Sequence, residues 1–134
     1  MNATLTIRDE TLTGQATHEW SLDFLTERVT IRELIRSRVY QEVQDYHVRQ
    51  QSGGNDFRGL VQPTGAEQTL NGYRMPKSRT IDWKVQFEKA VEAFERNQIL
   101  ILVNDRQAGS LDDEIEVGSQ TIVSFVRLTL LVGG

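Results

Sequence analysis

The chain of 134 residues has no cysteine, two prolines and two histidines, and each scarcity removes a class of chemistry. Without cysteine there are no disulfides, no thiol nucleophile and no thiolate metal site. Neither histidine has a second histidine or a carboxylate at metal-ligand spacing, so no zinc site is expected. His18 falls on the apolar side of a candidate strand and reads as a partly buried, satisfied side chain. His47 falls near the end of a candidate helix, where a cation is mildly favoured. Basic residues are outnumbered 15 to 19, and a net charge of −4 is not the electrostatic footprint of nucleic-acid binding. Lysine is rare among them: Lys77, Lys84 and Lys89. No apolar run approaches the roughly 18 residues of a membrane helix. The opening MNATLTIRDET lacks the basic and apolar parts of a signal peptide, which leads to the expectation of a soluble cytoplasmic protein without membrane contact.

Catalytic machinery is equally absent from the pattern. Asp112, Asp113, Glu114 and Glu116 cluster in a turn region and read as a solvated acidic face. No Ser-His-Asp order or nucleophile elbow can be named. The glycines between Gly53 and Gly72 do not form a phosphate loop, because no Gly-Lys-Ser/Thr follows them. Neither an enzyme nor a cofactor is expected, and no metal.

What is present is an alternation of strand and helix signals. Ala3 to Arg8 alternates apolar and polar residues; His18, Trp20, Leu22 and Phe24 repeat at a period of two, with Glu19, Ser21 and Asp23 opposite. These two runs, with Gly14 between them, predict an N-terminal β-hairpin. Thr30-Ile31-Arg32-Glu33 is a capping box. It opens a helix to about Gln51, with Ile31, Leu34, Ile35, Val39, Val43 and Tyr46 on one stripe and Arg32, Arg36, Glu42 and Gln44 elsewhere. Ser52-Gly53-Gly54-Asn55 ends it. Residues 52–80 are glycine-rich and without period, with Phe57, Leu60 and Tyr73 as anchors that fold the segment down or dock a partner; the former is preferred. Asp82 is an N-cap for a second helix with Trp83, Phe87, Ala90, Val91 and Phe94 on its core side, stopped at Asn97.

The last stretch organises the rest. Ile99 to Val103 and Ile122 to Val132 are apolar runs that read as strands, with a shorter strand at Glu114 to Val117 between them. The final run leads into Gly133-Gly134. Val103-Asn104-Asp105, Leu111-Asp112-Asp113, Val117-Gly118-Ser119 and Leu131-Val132-Gly133-Gly134 together resemble the C-terminal half of the ubiquitin-like β-grasp proteins. The likeness is closest to the sulfur carriers of molybdopterin and thiazole synthesis, although Asp105 stands where glycine is usual and the diglycine is approached through leucines.

That resemblance implies an α+β fold: a β-grasp of N-terminal hairpin, long helix and mixed sheet over residues 1–132, with an insertion at about 52–98 that includes the second helix, and a flexible diglycine tail at 133–134. It implies a protein acted upon by enzymes. An activating-type adenylating enzyme would bind ATP and activate the Gly134 carboxylate, since glycine has no Cβ to block a narrow site. In ubiquitin-like modifiers the activated carboxyl passes through a conjugating-type enzyme to a target lysine, and a deconjugating peptidase reverses the bond; in sulfur carriers it becomes a thiocarboxylate. The size of the insertion is similar to the decorated modifiers of bacterial ubiquitination-like operons, so conjugation is the preferred expectation. The sulfur carrier, and an interaction module with incidental glycines, are the alternatives. Gly133 and Gly134 are then the activated residues, Leu131 and Val132 the free tail, and Leu128 and Leu130 core or docking residues on one strand face. Lys77, Lys84 and Lys89 are the acceptors available for self-conjugation, and self-assembly is left open.

Overall fold

The computed structural model describes residues 3–69, 72–76 and 79–128. Among the described residues the chain is α+β, with two helices and a mixed five-stranded sheet. Its elements in order are β1 (Ala3–Glu10), β2 (Ala16–Phe24), β3 (Arg28–Thr30), α1 (Ile31–Gln51), β4 (Asp56–Phe57), β5 (Glu67–Thr69) and β6 (Gly72–Arg74), then α2 (Trp83–Glu95), β7 (Ile99–Val103), β8 (Arg106–Gln107), β9 (Glu114–Glu116) and β10 (Ile122–Arg127). No helix among the described residues is long and apolar enough to cross a membrane. The contacts divide the chain into two compact units: residues up to Leu34 together with those from Val91 onward, and Ile35–Ala90.

The first unit is built on the sheet β2-β1-β10-β7-β8. β1 and β2 form the expected antiparallel hairpin, with Leu5 opposite Leu22 and Ile7 opposite Trp20. β10 lies parallel to β1, Ile7 beside Val123, and antiparallel to β7, Phe125 opposite Ile101. Leu5, Ile7, Ile101, Val123 and Phe125 share one face of this sheet and are at most 1% exposed. β3 and β9 form a separate two-stranded sheet, with Val29 opposite Ile115. The capping box of α1 is complete: the Glu33 N–H donates to Thr30 Oγ1 and the Thr30 N–H donates to Glu33 Oε1, both at 3.2 Å. Two further N–H groups of the first turn, from Ile31 and Arg32, donate to the carbonyls of Asp113 and Leu111 at 2.9 and 3.0 Å. A helix start leaves such donors without internal partners, and here a loop distant in sequence satisfies them.

Turn chemistry closes both ends of β7. Asn97, with φ 59°, ends α2 in a Schellman motif: Gln98 N–H donates to Ala93 O and Asn97 N–H to Phe94 O. Asn104 and Asp105 have φ 48° and 70° and form the two-residue turn between β7 and β8. Both positive angles match a type I′ turn, whose twist suits a hairpin and whose second position favours glycine.

The second unit is compact where the sequence reads as an irregular insertion. β4, β6 and β5 make a three-stranded antiparallel sheet. Phe57 and Met75 from this region join Val43, Tyr46 and Ile81 in a buried cluster, with Tyr73 packed against it. Phe57 and Leu60 are thus anchors that fold the segment down. The helical part ends at Gly53, φ 89°, in a second Schellman motif: Gly54 N–H donates to Arg49 O and Gly53 N–H to Gln50 O. Tyr46 Oη and Gln50 Nε2 both donate to the Arg79 carbonyl, at 3.0 and 2.8 Å. Asp82 caps α2 by accepting from the Lys84 N–H at 2.9 Å.

Several expectations need correction. β10 spans Ile122–Arg127 and Leu128 follows outside it; the rest of the expected run to Val132 lies outside the described residues. His18 is exposed rather than partly buried, its ring tilted against that of Trp20 with centroids 4.7 Å apart. Glu42 is buried on the apolar stripe of α1 rather than elsewhere on the helix, three residues after Val39 and four before Tyr46: it accepts from Arg38 Nε at 3.0 Å, and its other oxygen accepts from the Leu60 N–H at 3.2 Å. Gln86, one turn into α2, is also buried, its side chain donating to the Val61 carbonyl. A polar residue enters the interior when a distant backbone group satisfies it.

Burial raises the Tyr46 phenol above its ordinary value of 10.0. The folded state holds that proton more tightly, so the contribution is intact below pH 10 and is lost as pH rises through the higher folded value. Tyr46→Phe should remove this alkaline loss, so stability measured by urea unfolding should fall less steeply above pH 10 than in the wild type. At the β7–β8 turn, Asp105→Gly should stabilise by about 0.5 kcal/mol and Asp105→Val should destabilise by about 1–2 kcal/mol, read in the same way.

Candidate functional site

The C-terminal end of β10 leads into the stretch where the sequence reading expects the site. β1 pairs with the strand as far as Val126, opposite Glu10, and the β7 side continues further: Arg127 is registered opposite Ile99, and the Leu128 N–H donates to the Gln98 carbonyl at 2.8 Å. Leu128 is half-buried and sits just after the strand. Leu130, Leu131, Val132, Gly133 and Gly134 lie outside the described residues, as does Lys77.

Beside this end, the sheet face opposite the core has two halves. On the β7 side the register groups Leu100 with Val126 and Leu102 with Ser124, and Ile122 follows at the same parity. Leu100, Leu102 and Ile122 are half-buried, and Val126 is 6% exposed. On the β1–β2 side the face is ionic. Arg8 Nε donates to Glu19 Oε1 at 2.9 Å, Arg8 lies 3.8 Å from the Glu10 carboxylate, and the Ser124 hydroxyl bonds the same Glu10 oxygen. The face thus divides into an apolar strip along β7 and β10 and an ionic strip along β1 and β2. The sequence reading missed Leu100, Leu102 and Glu10. The signal was present in ILILV at 99–103: a strand apolar on both faces with only one face, Ile99 and Ile101, fully buried.

The other candidate features have structural duties. Asp113 Oδ2 accepts from the N–H groups of Gly109 and Ser110 at 3.0 and 3.1 Å, so those donors are not an anion cradle. Asp112 faces Arg32 at 3.9 Å at the edge of a polar groove that Asn97, Gln107 and Ser110 also line. Among the described residues no group of three or more His, Cys, Asp or Glu side chains is arranged to hold a metal. His47 Nε2 accepts from the Ile81 N–H at 3.2 Å, which commits that nitrogen to the backbone.

No family model, curated protein or solved structure matches this chain. Its chemistry is therefore read from its own residues.

The lysines differ. Lys84 is exposed in the first turn of α2. Lys89 is half-buried, and its ammonium donates to the Gln62 carbonyl at 3.3 Å and to Thr64 Oγ1 at 2.9 Å. An ammonium must lose a proton and give up such bonds to its acceptors before it can act as a nucleophile. With about 1 kcal/mol at stake in a hydrogen bond, Lys84 should react with an amine acylating reagent at least about fivefold faster than Lys89, read by peptide mass mapping.

Proposed function

We propose that this chain is a ubiquitin-like modifier built on a β-grasp, the Gly134 carboxyl being activated by an adenylating enzyme and joined to lysines of target proteins. The observation that carries the reading is the strand order. The first strand, β1, lies between its hairpin partner β2 and the parallel β10, with β7 on the far side of β10. A hairpin, a helix and a final strand returned to the sheet centre beside the first strand are the arrangement that the sequence resemblance implies. The Val103-Asn104-Asp105 segment supports it, since its left-handed turn is the backbone conformation that the glycine of the related pattern would favour.

The proposed chemistry belongs to partners. The carboxylate attacks the α-phosphate of ATP held by the activating enzyme, pyrophosphate leaves, and an acyl-adenylate forms. A thiol of the activating or conjugating enzyme displaces AMP, and a target amine then displaces the thiol to give an amide. This chain contributes the substrate carboxyl, a tail narrow enough to enter a nucleotide site, and a docking face at Leu100, Leu102, Ile122 and Leu128.

Co-expression with activating- and conjugating-type proteins encoded beside it, followed by intact and peptide mass spectrometry, tests the reading. The expected product is a Gly134 amide to a lysine of another protein, lost on deletion of Gly133 and Gly134. Replacement of one carboxyl oxygen by sulfur would instead identify the sulfur-carrier alternative. An unchanged mass with ATP and an active adenylating enzyme present would overturn both.

A further inference from the structure

We infer that His47 is a pH-sensitive clasp on the entry into α2, closed while its imidazole is neutral and opened when the ring takes up a proton. Three side chains of α1 hold the segment that enters α2. Tyr46 Oη and Gln50 Nε2 donate to the Arg79 carbonyl, and the Ile81 N–H donates to His47 Nε2. All of these residues belong to the Ile35–Ala90 unit. The bonds differ in one respect. A phenol and a carboxamide donate at neutral and acid pH alike, whereas an imidazole nitrogen accepts only while it carries no proton. With Nε2 as the acceptor, the ring proton sits on Nδ1, and a second proton must go to Nε2 itself.

Protonation then sets two donors face to face. Ile81 is buried in the cluster of Val43, Tyr46, Phe57 and Met75, and the bond from its N–H to His47 is itself part-buried. A shielded donor that loses its acceptor costs more than the bond contributes, so the ring or the backbone must move away. Histidine is the side chain whose ordinary titration falls between about pH 5 and 8. The bond's contribution is complete above that titration and is lost as pH falls through it.

Neighbouring charges do not hold the ring in its cationic form. The charged side chains beside it in sequence on α1 are Asp45 and Arg49, and those of the facing segment are Arg79 and Asp82. Asp45 accepts from Gln41 Nε2 at 2.9 Å, Asp82 accepts from the Lys84 N–H at 2.9 Å, and Arg49 donates to the Asp56 carbonyl at 3.3 Å. Among the described residues the polar partner of His47 is the Ile81 N–H, and its ring neighbour is Tyr46, whose phenol stays protonated throughout the acid range. The opening is local. Arg79 keeps both of its bonds from α1, so release falls on Ile81 and the capping residue Asp82, from which Trp83 and Lys84 enter the first turn of α2.

The test uses the full chain alone, so conjugation chemistry plays no part in it. Nitrogen-15 NMR of the imidazole at about pH 7.5 should show His47 with its proton on Nδ1. Between about pH 7.5 and about pH 5.5, protection of the Ile81 amide against hydrogen exchange, corrected for the intrinsic pH dependence, should fall at least about tenfold in step with protonation of His47. His47→Gln offers a carboxamide oxygen in place of Nε2 and does not titrate, so protection there should stay within about twofold across the same range. His18→Gln, on β2, should leave the wild-type response unchanged. Circular dichroism at both pH values checks that the fold persists. A His47 proton on Nε2 at the higher pH overturns the inference, as does Ile81 protection that is independent of pH in the wild type or equally dependent on it in His47→Gln.

Discussion

The parallel pairing of β1 with β10 is the constraint on which the first unit depends. It sets Ile7 beside Val123 and leaves β2 and β7 to flank the pair in antiparallel register. Parallel strands cannot be joined by a tight turn, so a long crossover must separate them. That crossover contains a compact unit of its own in Ile35–Ala90. The same pairing makes β10 a buried central strand, and the chain leaves the sheet from its middle rather than from an edge.

The elements legible in the sequence are those whose signals are local. Thr30 and Glu33 are three residues apart and complete their own box; Gly53 and Asn97 end helices through left-handed backbone that each residue type tolerates by itself. The N-terminal hairpin and β7 announce themselves by period and by apolar runs. The parts that were not legible depend on partners far along the chain. Glu42 shares the stripe of Val39 and Tyr46, but its polarity takes it off the expected core, and Arg38 and the Leu60 N–H hold it inside. Gln86 is drawn in by the Val61 carbonyl. β3, β4, β5, β6 and β8 are two or three residues each, too short to carry a period. At the candidate site, Leu128 was named from the sequence, while the neighbouring face of Leu100 and Leu102 became visible only through register.

Buried polar groups have an organising role in the second unit that apolar packing does not supply. Glu42 fixes one end of the segment after β4 through Leu60, while Tyr46 and Gln50 fix its far end through the Arg79 carbonyl. These side chains lie on α1 at successive turns, so one helix reads out the path of an otherwise irregular segment. Hydrogen bonds of this kind add little net stability individually but make alternative placements costly, because each would strand a buried polar group.

The division of contacts also has a consequence for the order of events during synthesis. Ile35–Ala90 closes its core with residues near one another in the chain, from Val43 to Trp83. The first unit needs β1 and β10 together, a contact between positions near opposite ends of the sequence. Local contacts form quickly and distant ones slowly. On a ribosome the interior unit has all its partners while β10 is still inside the exit tunnel, and β1 waits with an unpaired side until translation has passed Arg127. The hairpin that begins the chain is therefore among the last pieces to be locked in place.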